Sequence, residues 1–267
     1  MDKLALALLA LFVAQVSPGA PTGVEIIEKS QQAFHYPGSD MRATVTMELV
    51  TADGKKRTRV LSMLRKNDPK SKNQKYFLYF HEPGDVRGTA FLVWKYPEKD
   101  DDRWIFIPAV NMLRRIAAKD SRSSFVGSDF TYEDVSGRDL SADTHTLLRE
   151  ERFGDSDCYV VQSLPKAPTD YIKKLAWIDE KTFLPLKEEY YDAQNELARL
   201  FTAEKVENVS AGSGRKVYPA VTRRTMKNVK SGHRTEVSFT NIAYDAGLDD
   251  AVFSEGSLQS PPQKWIK

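Results

Sequence analysis

Apolar and polar residues alternate with a period of two through most of the chain. Met41, Ala43, Val45, Met47 and Leu49 are separated by Arg42, Thr44, Thr46 and Glu48. That spacing sends one set to a buried face and the other to water, as in a half-buried strand. Ala52-Asp53-Gly54-Lys55 follows, with the Asp-Gly pair of a hairpin turn at its centre. Further strands are predicted at about 56–65, 75–82, 88–96 and 103–108, then near 145–153, 157–164, 171–179, 184–192, 196–208, 215–226 and 233–244. Their connections carry turn chemistry, among them Gly154-Asp155-Ser156-Asp157 and Asp192-Ala193-Gln194-Asn195. About twelve strands joined mostly by short turns make one domain, mainly β (α+β), built on a strongly curved antiparallel meander.

Two stretches break the period. Residues 24–34 place Val24, Ile27 and Phe34 at helical spacing opposite Glu25, Glu28, Lys29, Gln31 and Gln32. His35-Tyr36-Pro37-Gly38 ends this N-terminal helix, because a proline disfavours helix at the residue before it. The second stretch, 108–135, reads PAVNMLRRIAAKDSRSSFVGSDFTYEDV. Val110, Met112, Leu113, Ile116 and Ala117 can share one helical face, with Arg114, Arg115 and Lys119 on the other. Phe125, Phe130 and Tyr132 follow among small polar residues. An insertion this long in a meander is functional or disordered more often than not, and its aromatics argue against disorder. Two readings are open: a helical lid over a cavity, or a crossover that packs on the sheet. A basic amphipathic stretch can also make transient contact with a membrane surface.

Two interior strands are apolar on both faces. Tyr76, Leu78 and Phe80 oppose Phe77 and Tyr79; Ala90, Leu92, Trp94 and Tyr96 oppose Phe91 and Val93. A sheet wet on one side does not read this way. A packed helix, a second sheet or a bound apolar ligand must cover the second face. Two helical stretches are few for so much apolar face, which points to a ligand-holding concavity. Alternation cannot say which set faces the hollow. Taking the larger set, the expected lining is Tyr76, Leu78, Phe80, Leu92, Trp94, Trp104 and Phe106. The expected lid and mouth are Val110, Met112, Leu113, Arg114, Arg115, Ile116, Phe125, Phe130 and Tyr132.

Composition narrows the chemistry. Lys plus Arg is 39 and Asp plus Glu is 37, a net charge of +2, so no basic excess suggests nucleic acid. Apolar residues at 41% are too many for a disordered chain. A single cysteine, Cys158, excludes an intrachain disulfide or a multi-cysteine metal site. There is no GxSxG elbow, P-loop or GxGxxG, and the four histidines have no ligand spacing. Glu188 and Glu189 are strand neighbours and point to opposite faces. No catalytic residue, cofactor or metal is therefore expected. Residues 4–16 form an uncharged run of 13, short for a span of ~20 and suited to a secretory leader. Small residues at Ser17, Gly19 and Ala20 follow. Residues 1–19 read as a signal peptide and 20–267 as the exported domain; an uncleaved inner-membrane anchor is the alternative.

Three stretches carry a family resemblance: Gly88-Thr89-Ala90-Phe91-Leu92, Trp104-Ile105-Phe106-Ile107-Pro108, and Arg114-Arg115-Ile116 running on to Gly127-Ser128-Asp129-Phe130-Thr131-Tyr132-Glu133-Asp134. With the helix, the meander and the central interruption, the chain resembles the LolA-like outer-membrane lipoprotein-sorting proteins. The resemblance implies an unclosed β-barrel that holds acyl chains under a helical lid, with no enzyme activity and no cofactor. It makes Arg114 and Arg115 candidates for pinning that lid. It implies a periplasmic carrier of lipid or lipoprotein acyl chains, with an inner-membrane transporter as donor and an outer-membrane acceptor. The alternative is a non-enzymatic accessory protein of an inner-membrane envelope lipid transporter.

Overall fold

The computed structural model describes residue 19, residues 21–212, residue 214 and residues 216–266. The leader assigned to residues 1–19 lies almost wholly outside the described residues. Helix α1, Gly23–His35, starts with a capping box. The Thr22 hydroxyl accepts the Glu25 N–H, and the Glu25 carboxylate accepts the Thr22 N–H at 2.7 Å. Gly23 is needed where α1 meets β7 (Asp143–Phe153): a Cβ there would lie 2.7 Å from the backbone nitrogens of Thr146 and Leu147.

The remaining strands are β1 (Asp40–Val50), β2 (Lys56–Asn67), β3 (Gln74–Glu82), β4 (Ala90–Lys95), β5 (Asp102–Ile107), β6 (Met112–Ile116), β8 (Ser156–Pro165), β9 (Lys173–Asp179), β10 (Pro185–Tyr191), β11 (Leu197–Ser210), β12 (Val217–Asn228) and β13 (Arg234–Tyr244). All thirteen form one antiparallel sheet in the order β6-β5-β4-β3-β2-β1-β13-β12-β11-β10-β9-β8-β7. The chain steps outward from β1 to β6, jumps to the opposite edge and steps back until β13 pairs with β1. Edges β6 and β7 do not pair, so the barrel is unclosed. The predicted alternation in β1 holds: Met41, Ala43, Val45, Met47 and Leu49 are all buried.

One element differs in kind. Residues 110–117 are not a helix. Pro108–Val110 is a single 3-10 turn, Asn111 is left-handed with φ 45°, and Met112–Ile116 runs back along β5 as an edge strand. Over eight residues, period 2 and period 3.6 fit the same apolar set. The backbone of β5 decided between them by offering an unpaired edge. Val110, Met112 and Leu113 are 66%, 39% and 43% exposed, and Arg114 and Arg115 are exposed too. These five residues therefore do not form a lid face; Ile116 is buried against the core.

Both faces of β2–β5 are covered by the chain itself. On the convex side, residues 248–266 wrap back as short helices, including α3 (Gly256–Gln259) and α4 (Gln263–Ile266). Leu248, Val252, Phe253, Leu258 and Ile266 pack on Leu64, Phe77, Ala90, Leu92 and Trp104. The concave side is filled by α1 toward β7–β9 and by residues 118–142 toward β2–β5. In that second cover, helix α2 (Tyr132–Ser136) has its own capping box between Thr131 and Asp134.

Candidate ligand-binding concavity

Register settles which side chains face the hollow. Leu78 pairs with Phe91, and Phe91 with Ile105; Phe77 pairs with Leu92, and Leu92 with Trp104. Directly paired residues share a face. Tyr76, Leu78, Phe80, Phe91, Val93 and Ile105 therefore look inward, together with Met41, Val45 and Met63. Leu92, Trp94, Trp104 and Phe106 look outward, against the C-terminal wrap. The expected lining set is thus split. Tyr76, Leu78 and Phe80 stand as inner residues; Leu92, Trp94, Trp104 and Phe106 belong to the opposite core. Choosing the larger set on each strand ignored the pairing, which puts the larger set of β3 on the same face as the smaller set of β4, Phe91 and Val93.

Of the proposed mouth residues, Phe125, Phe130 and Tyr132 do reach the concavity, as a plug and not as a rim. The Phe125 ring packs tilted 6.0 Å from Phe80 and 5.4 Å from Phe91, and Tyr132 lies 5.2 Å from Phe91. All three are buried.

The plug is held by charges that composition could not place. Arg122 grips Asp170 through two nitrogens at 2.7 and 3.1 Å, and its Nη1 donates to Glu133 at 2.9 Å and Asp134 at 3.2 Å. Arg199, on β11, donates to Asp134 at 3.0 Å. Arg138 joins Glu133 and Asp143. Burial alone would raise the Asp134 carboxyl, but Arg199 and Arg122 beside it, with the Thr131 N–H, hold it far below the usual carboxylate range. Further along, the Asp129 carboxylate accepts the Thr235 hydroxyl at 2.7 Å and lies 2.6 Å from His233 Nδ1. The pinning arginines are therefore Arg122, Arg138 and Arg199. Arg114 and Arg115 sit on β6, where Arg115 pairs with Asp102.

Two small cavities remain inside. One, of about 90 Å³, lies between α1, the plug and β10–β12, and includes Phe34, Asp134, Glu188 and Arg224 in its lining. The other, of about 60 Å³, is lined by Met63, Arg65, Tyr76, Arg224, Phe239 and Tyr244 among others. Each has room for a few waters and is too small for an acyl chain. Outside α1 an open groove of about 850 Å³ runs over Glu28, Tyr36, Phe183 and Tyr218. Ala33 lines both this groove and the smaller cavity, so the C-terminal half of α1 is the wall between them. Among the described residues no three His, Cys, Asp or Glu side chains gather as a metal site, and no helix is long and apolar enough to cross a membrane.

This architecture has known counterparts. A DUF1329 family protein from Desulfovibrio piger is similar at 29% identity, over 89% of this chain and 98% of its own, with a TM-score of 0.80. An outer membrane lipoprotein-sorting protein domain from Vibrio parahaemolyticus is similar at 27% identity over 89% and 98%, also with a TM-score of 0.80. A family model described as "-like: Uncharacterized protein" matches residues 72–260. The chain belongs to the LolA-like family of outer-membrane lipoprotein-sorting proteins. A LolA superfamily protein from Nitrosomonas europaea, at 23% identity over 89% of this chain and 99% of its own, shares the fold with a TM-score of 0.67. No curated protein matches the chain. In this LolA-like chain the family match begins before β3 and ends within the C-terminal wrap, after α3.

Sequence reasoning missed the arginines of the concave face. Arg59 and Arg65 stand in phase with Leu61 and Met63 on β2, and Arg103 in phase with Ile105 on β5. An arginine in step with an apolar set was the available signal.

Proposed function

We propose that this LolA-like protein is a periplasmic carrier that binds lipid or lipoprotein acyl chains in its concavity and delivers them towards the outer membrane. One observation carries the reading: the apolar inner face is closed by a plug of the same chain, seated by three aromatic side chains and tied down by ion pairs. Acyl chains can take the places of Phe125, Phe130 and Tyr132 against Tyr76, Leu78, Phe80, Phe91 and Ile105. Each buried CH₂ contributes about 0.8 kcal/mol before ordering costs. Cargo and plug compete for one surface, so a more firmly held plug means weaker binding. Such a carrier has no catalytic step, and export by the leader at residues 1–19 would bring it to the periplasm as residues 20–267. The described structure supplies a second element for this role. Edge strand β6 offers exposed Val110, Met112 and Leu113 beside Arg114 and Arg115. That mixture suits brief contact with an anionic membrane surface or a transporter partner at the point of transfer. The same free edge favours the second reading, an accessory protein of an inner-membrane envelope lipid transporter.

The test is organic extraction and mass spectrometry of protein purified from its native envelope, paired with titration of a fluorescent fatty acid. Co-purifying acyl lipid and saturable binding are expected. A protein free of lipid that binds no acyl probe would leave the accessory reading in its place.

A further inference from the structure

Buried polar atoms without partners are rare in native proteins and call for a reason. Among the described residues, every buried side-chain nitrogen or oxygen that lacks a hydrogen bond is an arginine nitrogen, on Arg59, Arg65, Arg103, Arg199 or Arg224. Pairing puts all five on the concave face. Arg59 is opposite Met47, Arg65 opposite Met41 and Tyr76, Arg103 opposite Val93, Arg199 opposite Tyr190 and Arg224 opposite Val237, and each of these partners is an inner core residue.

The five are not equivalent, and Arg59 lines neither interior cavity. Arg103 and Arg199 have carboxylate partners, Asp101 at 2.6 Å and Asp134 at 3.0 Å. Arg65 donates to the carbonyls of His35, at 2.5 Å, and Pro37 at the end of α1. Arg224 instead has three aromatic rings around its guanidinium, Phe239 at 4.8 Å, Phe34 at 5.2 Å and Phe130 at 5.5 Å. Its accessible surface lines the two interior cavities. The nearest acids are engaged elsewhere, Asp134 by Arg122 and Arg199, and Glu188 by Lys174 and Tyr190. The 60 Å³ cavity, which Arg224 shares with Arg65, has no acidic residue in its wall. Burial pulls the Arg224 guanidinium down to about 10, which leaves it charged at neutral pH.

A buried charged donor whose neighbouring acids are all paired with other groups is costly unless something supplies an anion. Resting on the carrier reading above, we propose that the concavity takes an acyl chain ending in an oxyanion, a carboxylate or a phosphate, and that Arg224 receives the oxyanion. The cavity volume suits such a group and excludes the chain. The chain then lies along the inner face where the plug now packs, with Arg65 as a second positive neighbour. A guanidinium fork matches either oxyanion through two parallel N–H donors.

The experiment compares oleate, oleyl alcohol and inorganic phosphate by calorimetric titration of the intact protein and of Arg224→Met and Arg224→Lys. The parent is expected to bind oleate at least tenfold more tightly than oleyl alcohol. Arg224→Met should abolish that preference while keeping alcohol binding and unfolding at the same temperature or higher; Arg224→Lys should retain part of it. Equal binding of acid and alcohol by the parent overturns the oxyanion site and leaves the carrier intact, and needs no variant to fold. A preference that survives in Arg224→Met moves the site elsewhere. Phosphate binding as tight as oleate makes this a free-anion site and sinks the acyl ligand. A parent that binds neither amphiphile overturns the carrier reading itself.

Discussion

Strands β2–β5 are covered twice, and the two covers are built from different forces. The convex cover is mostly apolar. Its polar ties are mostly to backbone: the Asp40 carboxylate accepts the N–H groups of Ala246, Gly247 and Leu248 at 2.6–2.9 Å, and Trp94 Nε1 donates to the Phe253 carbonyl at 2.8 Å. Its one ion pair to the sheet among the described residues, Lys66 to Asp250 at 3.2 Å, involves a largely exposed carboxylate. The concave cover combines an aromatic plug with a ring of ion pairs around Glu133 and Asp134. Hydrophobic burial is non-directional and is lost only when the surface returns to water. Ion pairs can be exchanged for others, or for water, one at a time. The convex cover is thus ordinary core; in the proposed carrier role the concave one is the attachment that cargo would replace.

The largest expected effect comes from breaking the convex side. Leu92→Glu places an unpaired charge under Phe253 and Leu258, and we expect a loss of more than about 4 kcal/mol or failure to fold. Urea unfolding reads this. A folded Leu92→Glu variant with impaired fatty-acid binding would reverse the assignment of faces. Next, Asp134→Asn removes the carboxylate that Arg122 and Arg199 share, and about 3 kcal/mol should be lost. Hydrogen exchange should then quicken in residues 122–136 before the convex cover responds. Uniform quickening would show that the two covers are one cooperative unit.

A smaller loss is expected from Phe125→Ala. A buried phenylalanine normally costs about 3–5 kcal/mol on truncation. Here less than half of the Phe253→Ala loss is expected, because the plug can open locally. Acyl-probe affinity should rise, since the competitor is weakened. Equal losses for the two phenylalanines, with no change in affinity, would erase the distinction between plug and core.

The smallest effect concerns pH. His35 ends α1 beside Gly137, where a Cβ would fall 3.0 Å from the imidazole Nε2. Burial, reinforced by Lys95, Arg224 and Arg65, holds the His35 imidazole well below its ordinary value of 6.5. Below pH 6.5 the unfolded chain therefore binds a proton that the folded chain refuses. Stability should fall as pH drops from 6.5, by at most about 1.4 kcal/mol per pH unit for one proton. His81 and His145 are lowered by burial too, so His35→Gln should flatten only part of the slope. An unchanged slope in thermal unfolding between pH 7 and pH 5 would show that the concave side carries no such load.

Local pattern was enough for the elements with one clear period. β1 and its Asp53-Gly54 hairpin could be read directly, as could α1, whose helix runs 23–35 against the expected 24–34. Residues 112–116 could not, because a short apolar-basic run fits both periods and only the free edge of β5 chose between them. The lining failed for a related reason. Tyr76 and Leu92 each belong to the larger set of their own strand, yet the register Phe77↔Leu92 places them on opposite faces.

The sequence by itself determined that this protein would be a long antiparallel meander with one amphipathic helix, a central insertion and more apolar face than a wet sheet can carry. Periodicity and turn chemistry act over a few residues, and a single chain displays them directly. Only the tertiary structure decided which face became the concavity, that Phe125, Phe130 and Tyr132 fill it, and that Arg224 stands in it without a carboxylate. Parity along one strand is relative, and it becomes a direction only when pairing and covering segments from 30 to 200 residues away are in place. Charge partners arrive by the same long-range route: Asp134 meets Arg199 from 65 residues off. Composition had counted both charges without being able to say which would be left alone.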